Sequence, residues 1–158
     1  MPTFSIVLLG LAVSQLAVLG IYIILYHRRS ALGLISACLV ATLILSLLGE
    51  GLNAIVHSES PTLIIFVTMG LNRVGNFSVF LIWLLSLKLF DDNFAVQEIP
   101  RVIWILAGSA LLMRSIGSYY AHYEIELGGL AYLVTWGYSQ LVLIGFSIAS
   151  IYVAVKGY

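Results

Sequence analysis

From position 3 to position 26 the chain carries no charged side chain, and four more apolar runs of comparable length follow it. About 20 apolar residues in an α-helix cross the hydrocarbon core of a bilayer. The hydrophobicity is continuous rather than alternating, which favours helices over the strands of a membrane barrel. The sequence therefore predicts an all-α polytopic membrane bundle of about five transmembrane helices, over residues 3–26, 31–57, 62–90, 101–120 and 128–155. A break is expected in the third at positions 70–75, where Gly70 and Gly75 flank Asn72 and Arg73.

Composition agrees with that reading. The 158 residues are 61% hydrophobic and 9% charged, with a mean hydropathy of +1.09, which a water-soluble fold has too little interior to hide. Short connections leave no length for an extramembrane domain, so residues 1–158 are read as a single transmembrane domain. The first run has no basic residue before it and no small-residue cleavage pattern after it, and is expected to be a retained helix rather than a secretory signal.

Seven basic residues balance seven acidic ones, so no basic footprint for nucleic acid is present and no direct nucleic-acid partner is expected. Cys38 is the sole cysteine, which excludes an intrachain disulfide and a thiolate cluster. His27, His57 and His122 lack metal-ligand spacing, and Asp91-Asp92 and Glu124-x-Glu126 sit in connections. With no recognised nucleophile, phosphate-loop or metalloprotease motif, the chain is expected to be no enzyme and to hold no metal or cofactor.

The basic residues outside the spans set an orientation. His27-Arg28-Arg29, Lys88 with Arg101, and Lys156 share one side of a five-helix topology, while Glu59, Glu124 and Glu126 share the other. The positive-inside bias then puts the N-terminus outside and the C-terminus in the cytoplasm. Tyr119, Tyr120 and Tyr123 near one face, and Trp104, Tyr152 and Tyr158 near the other, fit interfacial aromatic belts.

Ionisable side chains inside a span are costly, which makes Glu50, Arg73 and Arg114 the most informative residues here. Ser46, Glu50, Asn53 and His57 follow helical spacing and share one stripe. Asn72, Arg73 and Asn76 form a second polar group. Ala107, Ala110, Arg114, Gly117 and Ser118 share a face whose small residues admit a close neighbour, and Tyr132, Thr135, Trp136, Ser139 and Gln140 share another. Glu50 and Arg114 each lie about 10 Å below their outer helix ends at roughly 1.5 Å per residue. A pair between Glu50 and Arg114 or Arg73 is expected, since an unpaired charge in hydrocarbon costs several kcal/mol. The ligand-binding set read from these stripes is Glu50, Asn53, His57, Asn72, Arg73, Asn76, Arg114, Trp136 and Gln140, open to the outer side for a small ligand. The competing reading is that the same groups only lock helix packing.

The segment Phe80-Leu81-Ile82-Trp83-Leu84-Leu85-Ser86-Leu87-Lys88-Leu89-Phe90-Asp91-Asp92-Asn93-Phe94 resembles a pattern in the membrane-embedded N-terminal sensor region of AraC-type, helix-turn-helix bacterial transcription regulators. There an apolar helix with Trp-Leu ends in Phe-Asp-Asp-x-Phe. In that family a cytoplasmic helix-turn-helix domain follows the membrane region, whereas the sequence here extends to Val155-Lys156-Gly157-Tyr158. The resemblance implies a non-catalytic sensory input domain in the bacterial inner membrane, sensing a ligand or a membrane state and acting on a cytoplasmic output domain or within a homo-oligomer. Two alternatives stand beside it: a small transporter or channel subunit using Glu50, Arg73 and Arg114, and a membrane assembly or adaptor protein.

Overall fold

The computed structural model describes residues 2–27, 29–53, 62–91, 94–122 and 128–156. Among them there is no strand. The elements are α1 (Pro2–His27), α2 (Ala31–Asn53), α3 (Thr62–Val74), α4 (Phe77–Phe90), a 3-10 turn (Val96–Glu98), α5 (Arg101–His122), α6 (Gly129–Tyr132), a π turn (Leu133–Gly137) and α7 (Tyr138–Lys156). Five helical stretches are long and apolar enough to cross a membrane: Val7–His27, Ala31–Asn53, Thr62–Phe90, Arg101–Ala121 and Gly129–Lys156. By length and composition this is a multi-pass membrane protein.

The spans differ from soluble helices in what they leave uncovered. Val18, Ile21, Leu25, Leu63, Ile105, Leu141 and Val155 are all exposed large apolar side chains. In water such a surface drives aggregation; against lipid chains it carries no such penalty. Helices then associate by close packing and polar contacts rather than by expelling water. The chain forms two compact units, Met1–Ser78 and Val79–Tyr158.

In the first unit, α2 packs against both α1 and α3. The α1–α2 connection is tight because Ser30 serves both sides of it. Its Oγ donates to the His27 carbonyl (2.9 Å) and accepts from the Gly33 amide (3.0 Å), capping α2 through the third amide of the helix. A Cβ at Gly33 would strike the His27 carbonyl, so the same hairpin requires a glycine there. Farther along α2, a Cβ at Gly49 would strike the Asn72 backbone, and one at Gly75 would strike the Ser46 hydroxyl. The glycines bring the α2 and α3 backbones together, and Ser46 Oγ then donates to the Asn72 carbonyl at 3.0 Å.

The third span is interrupted at Gly75–Asn76, between α3 and α4. The chain stays hydrogen-bonded through the break, with Asn76 N–H donating to the Arg73 carbonyl and Ser78 N–H to that of Gly75, each at 3.0 Å.

In the second unit the core is aromatic. Phe80 of α4, 1% exposed, meets Trp104 of α5 edge-on at 5.0 Å and Phe146 of α7 edge-on at 5.1 Å. Trp83 lies 5.3 Å from Phe146. Edge-to-face geometry sets the positive ring rim against the negative face, worth about 0.5–1.5 kcal/mol per pair beyond burial. Trp104, expected as an interfacial anchor, thus has a packing role. Beyond α4, Lys88 Nζ donates to the Phe94 carbonyl at 3.1 Å, strapping the connection back onto the helix end.

The glycine contacts give a direct test. Gly49→Ala is expected to lower unfolding stability in detergent by about 1–3 kcal/mol, the usual range for overpacking. Gly10→Ala, with nothing within 4 Å of the added carbon, is expected to be neutral or to gain up to about 1 kcal/mol from helix propensity. Thermal or denaturant unfolding followed by circular dichroism reads both.

Candidate functional site

Two polar nodes lie within the helices, one in each unit. In the first, Asn72 is half-buried and receives the Ser46 hydroxyl on its backbone carbonyl. Arg73 is half-buried near the end of α3. Asn76 occupies the turn after it, and its Nδ2 is buried with no hydrogen-bond partner among the described residues. The stripe read from α2 divides. Ser46 and Gly49 face α3, whereas Glu50 and Asn53 are exposed. Successive helical residues are about 100° apart, so a side chain next to the Gly49 contact is carried away from it. His57 lies outside the described residues. Glu50 belongs to the first unit and Arg114 to the second.

The second node is built from α5 and the last span. The guanidinium carbon of Arg114 sits 3.9 Å from the centroid of the Trp136 indole, well inside the range for a cation–π contact. With its amide oxygen facing the guanidinium, Gln140 accepts from Arg114 Nη1 at 3.1 Å and Nη2 at 3.2 Å. The opposite amide orientation would set Gln140 N–H groups against guanidinium N–H groups, donor against donor. Tyr132 stacks near-parallel on the indole, 17° between planes with centroids 6.3 Å apart. Arg114, Trp136 and Gln140, three members of the sequence-derived set, therefore meet.

Small residues make that meeting sterically feasible. Ala107, Ala110, Gly117 and Ser118 of α5 are buried, as are Thr135 and Ser139 of the last span. A Cβ at Gly117 would come within 2.8 Å of the indole Nε1 and 3.1 Å of Thr135 Cβ. Without that glycine the indole could not lie where Arg114 reaches it. One turn away, the Ser109 and Tyr138 hydroxyls share a hydrogen bond of 2.7 Å.

Trp136 is held by an unusual piece of backbone. Residues Leu133–Gly137 form a π turn inside the apolar span Gly129–Lys156. Such single wide turns loosen the hydrogen-bond ladder and occur often at functional positions. Hydroxyls add bonds on either side of it: Thr135 Oγ1 donates to the Ala131 carbonyl at 2.8 Å and Ser139 Oγ to the Thr135 carbonyl at 2.9 Å. Side-chain hydroxyls of this kind make irregular turns tolerable at membrane depth. The stripe of Thr135, Trp136, Ser139 and Gln140 was readable at helical spacing; the π turn and the Ser109–Tyr138 bond were not, because no composition marks either.

The node can hold an anion or a polar group beside a cation whose charge is spread over an aromatic face and an amide. No group of three or more His, Cys, Asp or Glu suited to a metal ion occurs among the described residues.

No protein-family model, curated protein or solved structure matches the chain. The likeness to the membrane region of AraC-type regulators therefore rests on residues 80–94 alone. In the structure these residues supply Phe80 and Trp83 to the aromatic core and Lys88 to the strap on Phe94.

Trp136→Leu is expected to destabilise the second unit by about 0.5–2 kcal/mol through loss of the cation–π contact. Gly117→Ala should displace the indole and shift its fluorescence, while Gly108→Ala, with open space around the added carbon, should leave emission unchanged. Emission spectra of a Trp83→Phe, Trp104→Phe background isolate Trp136 for this comparison.

Proposed function

We propose that this chain is a non-catalytic sensory input domain of a bacterial inner membrane, with its N-terminus outside, its C-terminus in the cytoplasm and an output of the helix-turn-helix class. The observation that carries the proposal is the π turn in the last span, with Trp136 stacked on Arg114 and Gln140 bonded to it. A ligand or a change in membrane state that engages Arg114 competes for the indole and the amide, and so acts on the one wide turn of that span.

Mechanically, such a turn is a natural two-state element. Converting a π turn to regular α-helix rotates everything beyond it by about 100° and shifts it by about 1.5 Å along the axis. The residues beyond it are α7, which runs to Lys156, the end of the chain nearest the proposed output. A stimulus shifts the equilibrium only by its difference in affinity for the two states, and Arg114 provides that difference if it is stacked in one and released in the other.

The orientation has its own test. In a Cys38→Ser background, Ser60→Cys should react with a membrane-impermeant maleimide added to intact cells, whereas Ser30→Cys should react only after permeabilisation. Reversal of that pattern would invert the topology and remove the basis for a cytoplasmic output.

The sensory reading is tested by joining the chain to a cytoplasmic helix-turn-helix reporter. Arg114→Gln and Trp136→Leu are expected to change basal reporter output severalfold, with membrane levels equal to the parent chain by immunoblot. Equal output from parent and both variants would sink the proposal. Proton or chloride flux in proteoliposomes that is abolished by Glu50→Gln would replace it with the transporter reading, for which intramembrane charge is the motivating feature.

A further inference from the structure

The first span, α1, packs on α2 along one face. Leu9 and Gly20 belong to that face: a Cβ at Gly51 of α2 would strike the Leu9 side chain, and a Cβ at Gly20 would come within 3.2 Å of Val40. The opposite face is uncovered. Leu8, Leu11, Val18, Tyr22 and Leu25 are each 50% or more exposed, and Gln15 is exposed among them. The steps between these positions alternate between three and four residues, which is the seam of a two-stranded coiled coil. Leu8, Gln15 and Tyr22 fall at its a positions, Leu11, Val18 and Leu25 at its d positions.

The apolar members of this seam need no partner against lipid chains. Gln15 does. It stands at the middle of the helix Pro2–His27, roughly 20 Å from either end at about 1.5 Å per residue. Its amide has no hydrogen-bond partner among the described residues. No water reaches that depth, and an unbonded amide in hydrocarbon is costly.

We propose that α1 pairs in parallel with α1 of a second copy of this chain along this seam, with the Gln15 amides of the two copies bonded to each other. The chemistry of the group selects a copy as the occupant. An amide carries both N–H donors and a carbonyl acceptor, so it is complementary to itself, whereas a guanidinium or a carboxylate at the same place would repel its own copy. Copies of one chain insert with the same orientation, so their twofold axis runs along the membrane normal and the helices are parallel. In a parallel pair a positions face a positions, and across the axis each residue near it meets itself, which brings the two Gln15 side chains together. A single polar residue at an a position also fixes the register: sliding one helix by a heptad would set Gln15 against Leu8 or Tyr22.

The proposal does not depend on the sensory reading. Sedimentation equilibrium of the full chain in density-matched detergent is expected to show a monomer–dimer equilibrium. Gln15→Leu should weaken it about tenfold, the value of a good interhelical hydrogen bond, and Gln15→Asn should retain most of it. Gln15 is exposed, and circular dichroism confirms that each variant is folded. Oxidative cross-linking in membranes, in a Cys38→Ser background, maps the face. Leu11→Cys and Val18→Cys should give disulfide-linked dimers, whereas Val13→Cys and Leu16→Cys, at helical spacing from Leu9 and Gly20 on the α2 side, should not. A chain that is monomeric in detergent and yields no cross-linked dimer in membranes overturns the proposal, as does a dimer unaffected by Gln15→Leu or cross-linking equally efficient from Val13→Cys and Leu16→Cys. Cross-links from Leu11→Cys and Val18→Cys to a different protein alone would overturn the second copy as the occupant.

Discussion

Inside a bilayer, a peptide N–H or C=O that leaves its helix finds no water to bond, and each such loss costs several kcal/mol. Among the described residues, the departures from regular helix at Gly75–Asn76, at the π turn and between α1 and α2 are each accompanied by a substitute. At Gly75–Asn76 the amides of Asn76 and Ser78 keep partners one turn back, and the Ser46 hydroxyl reaches across from α2 to the Asn72 carbonyl. Around the π turn the hydroxyls of Thr135 and Ser139 bond neighbouring carbonyls. At the α1–α2 connection one serine hydroxyl serves both helix ends. Hydroxyl and amide side chains thus stand at each of these deviations, while others, such as Ser14, Thr42, Ser86 and Ser147, bond carbonyls within regular helix.

Linear patterns and close approaches of backbone differ in how far they could be read beforehand. Span number and helical class follow from uninterrupted hydrophobicity, which is a property of composition along a line. The grouping of Arg114 with Trp136 and Gln140 is harder, since it needs two helices in register, yet polar stripes at helical spacing named all three residues. Glu50 shows the limit. Periodicity assigns it to the same stripe as Ser46, but which neighbour a stripe faces depends on where backbones approach, and that is set by Gly49 against Asn72. A wide turn leaves no mark in hydropathy at all. The aromatic contacts of Phe80, Trp104 and Phe146 were also hidden, because an aromatic near a membrane face reads equally as an anchor or as a core residue.

The two units solve the packing problem by different means. The first relies on backbone proximity, with glycines at 33, 49 and 75 clearing space for a carbonyl, an amide and a hydroxyl. Such contacts are short-ranged and intolerant of added carbon. The second relies on large rings meeting at their edges, with Phe80 at the centre. Rings keep favourable geometries over centroid separations of roughly 4.5–7 Å, which gives α4, α5 and α7 more latitude than glycine contacts give α2 and α3. A conformational change is easier to accommodate in such a unit, and it is there that the Arg114 node and the π turn lie.

The π turn also bears on how the last span responds to changes in its length. Counted along the axis, a π turn is an α-helix with one residue too many, stored as a local widening. Loss of one residue near Leu133–Gly137 can be absorbed by narrowing that turn, leaving α7 in its original register with the flanking contacts of Ser109 and Phe80 intact. Loss of one residue from the middle of α2 has no such reserve and turns Ser46 and Gly49 away from Asn72 together. Two apolar spans therefore differ sharply in the insertions and deletions their descendants could survive, and the last span is the one with slack.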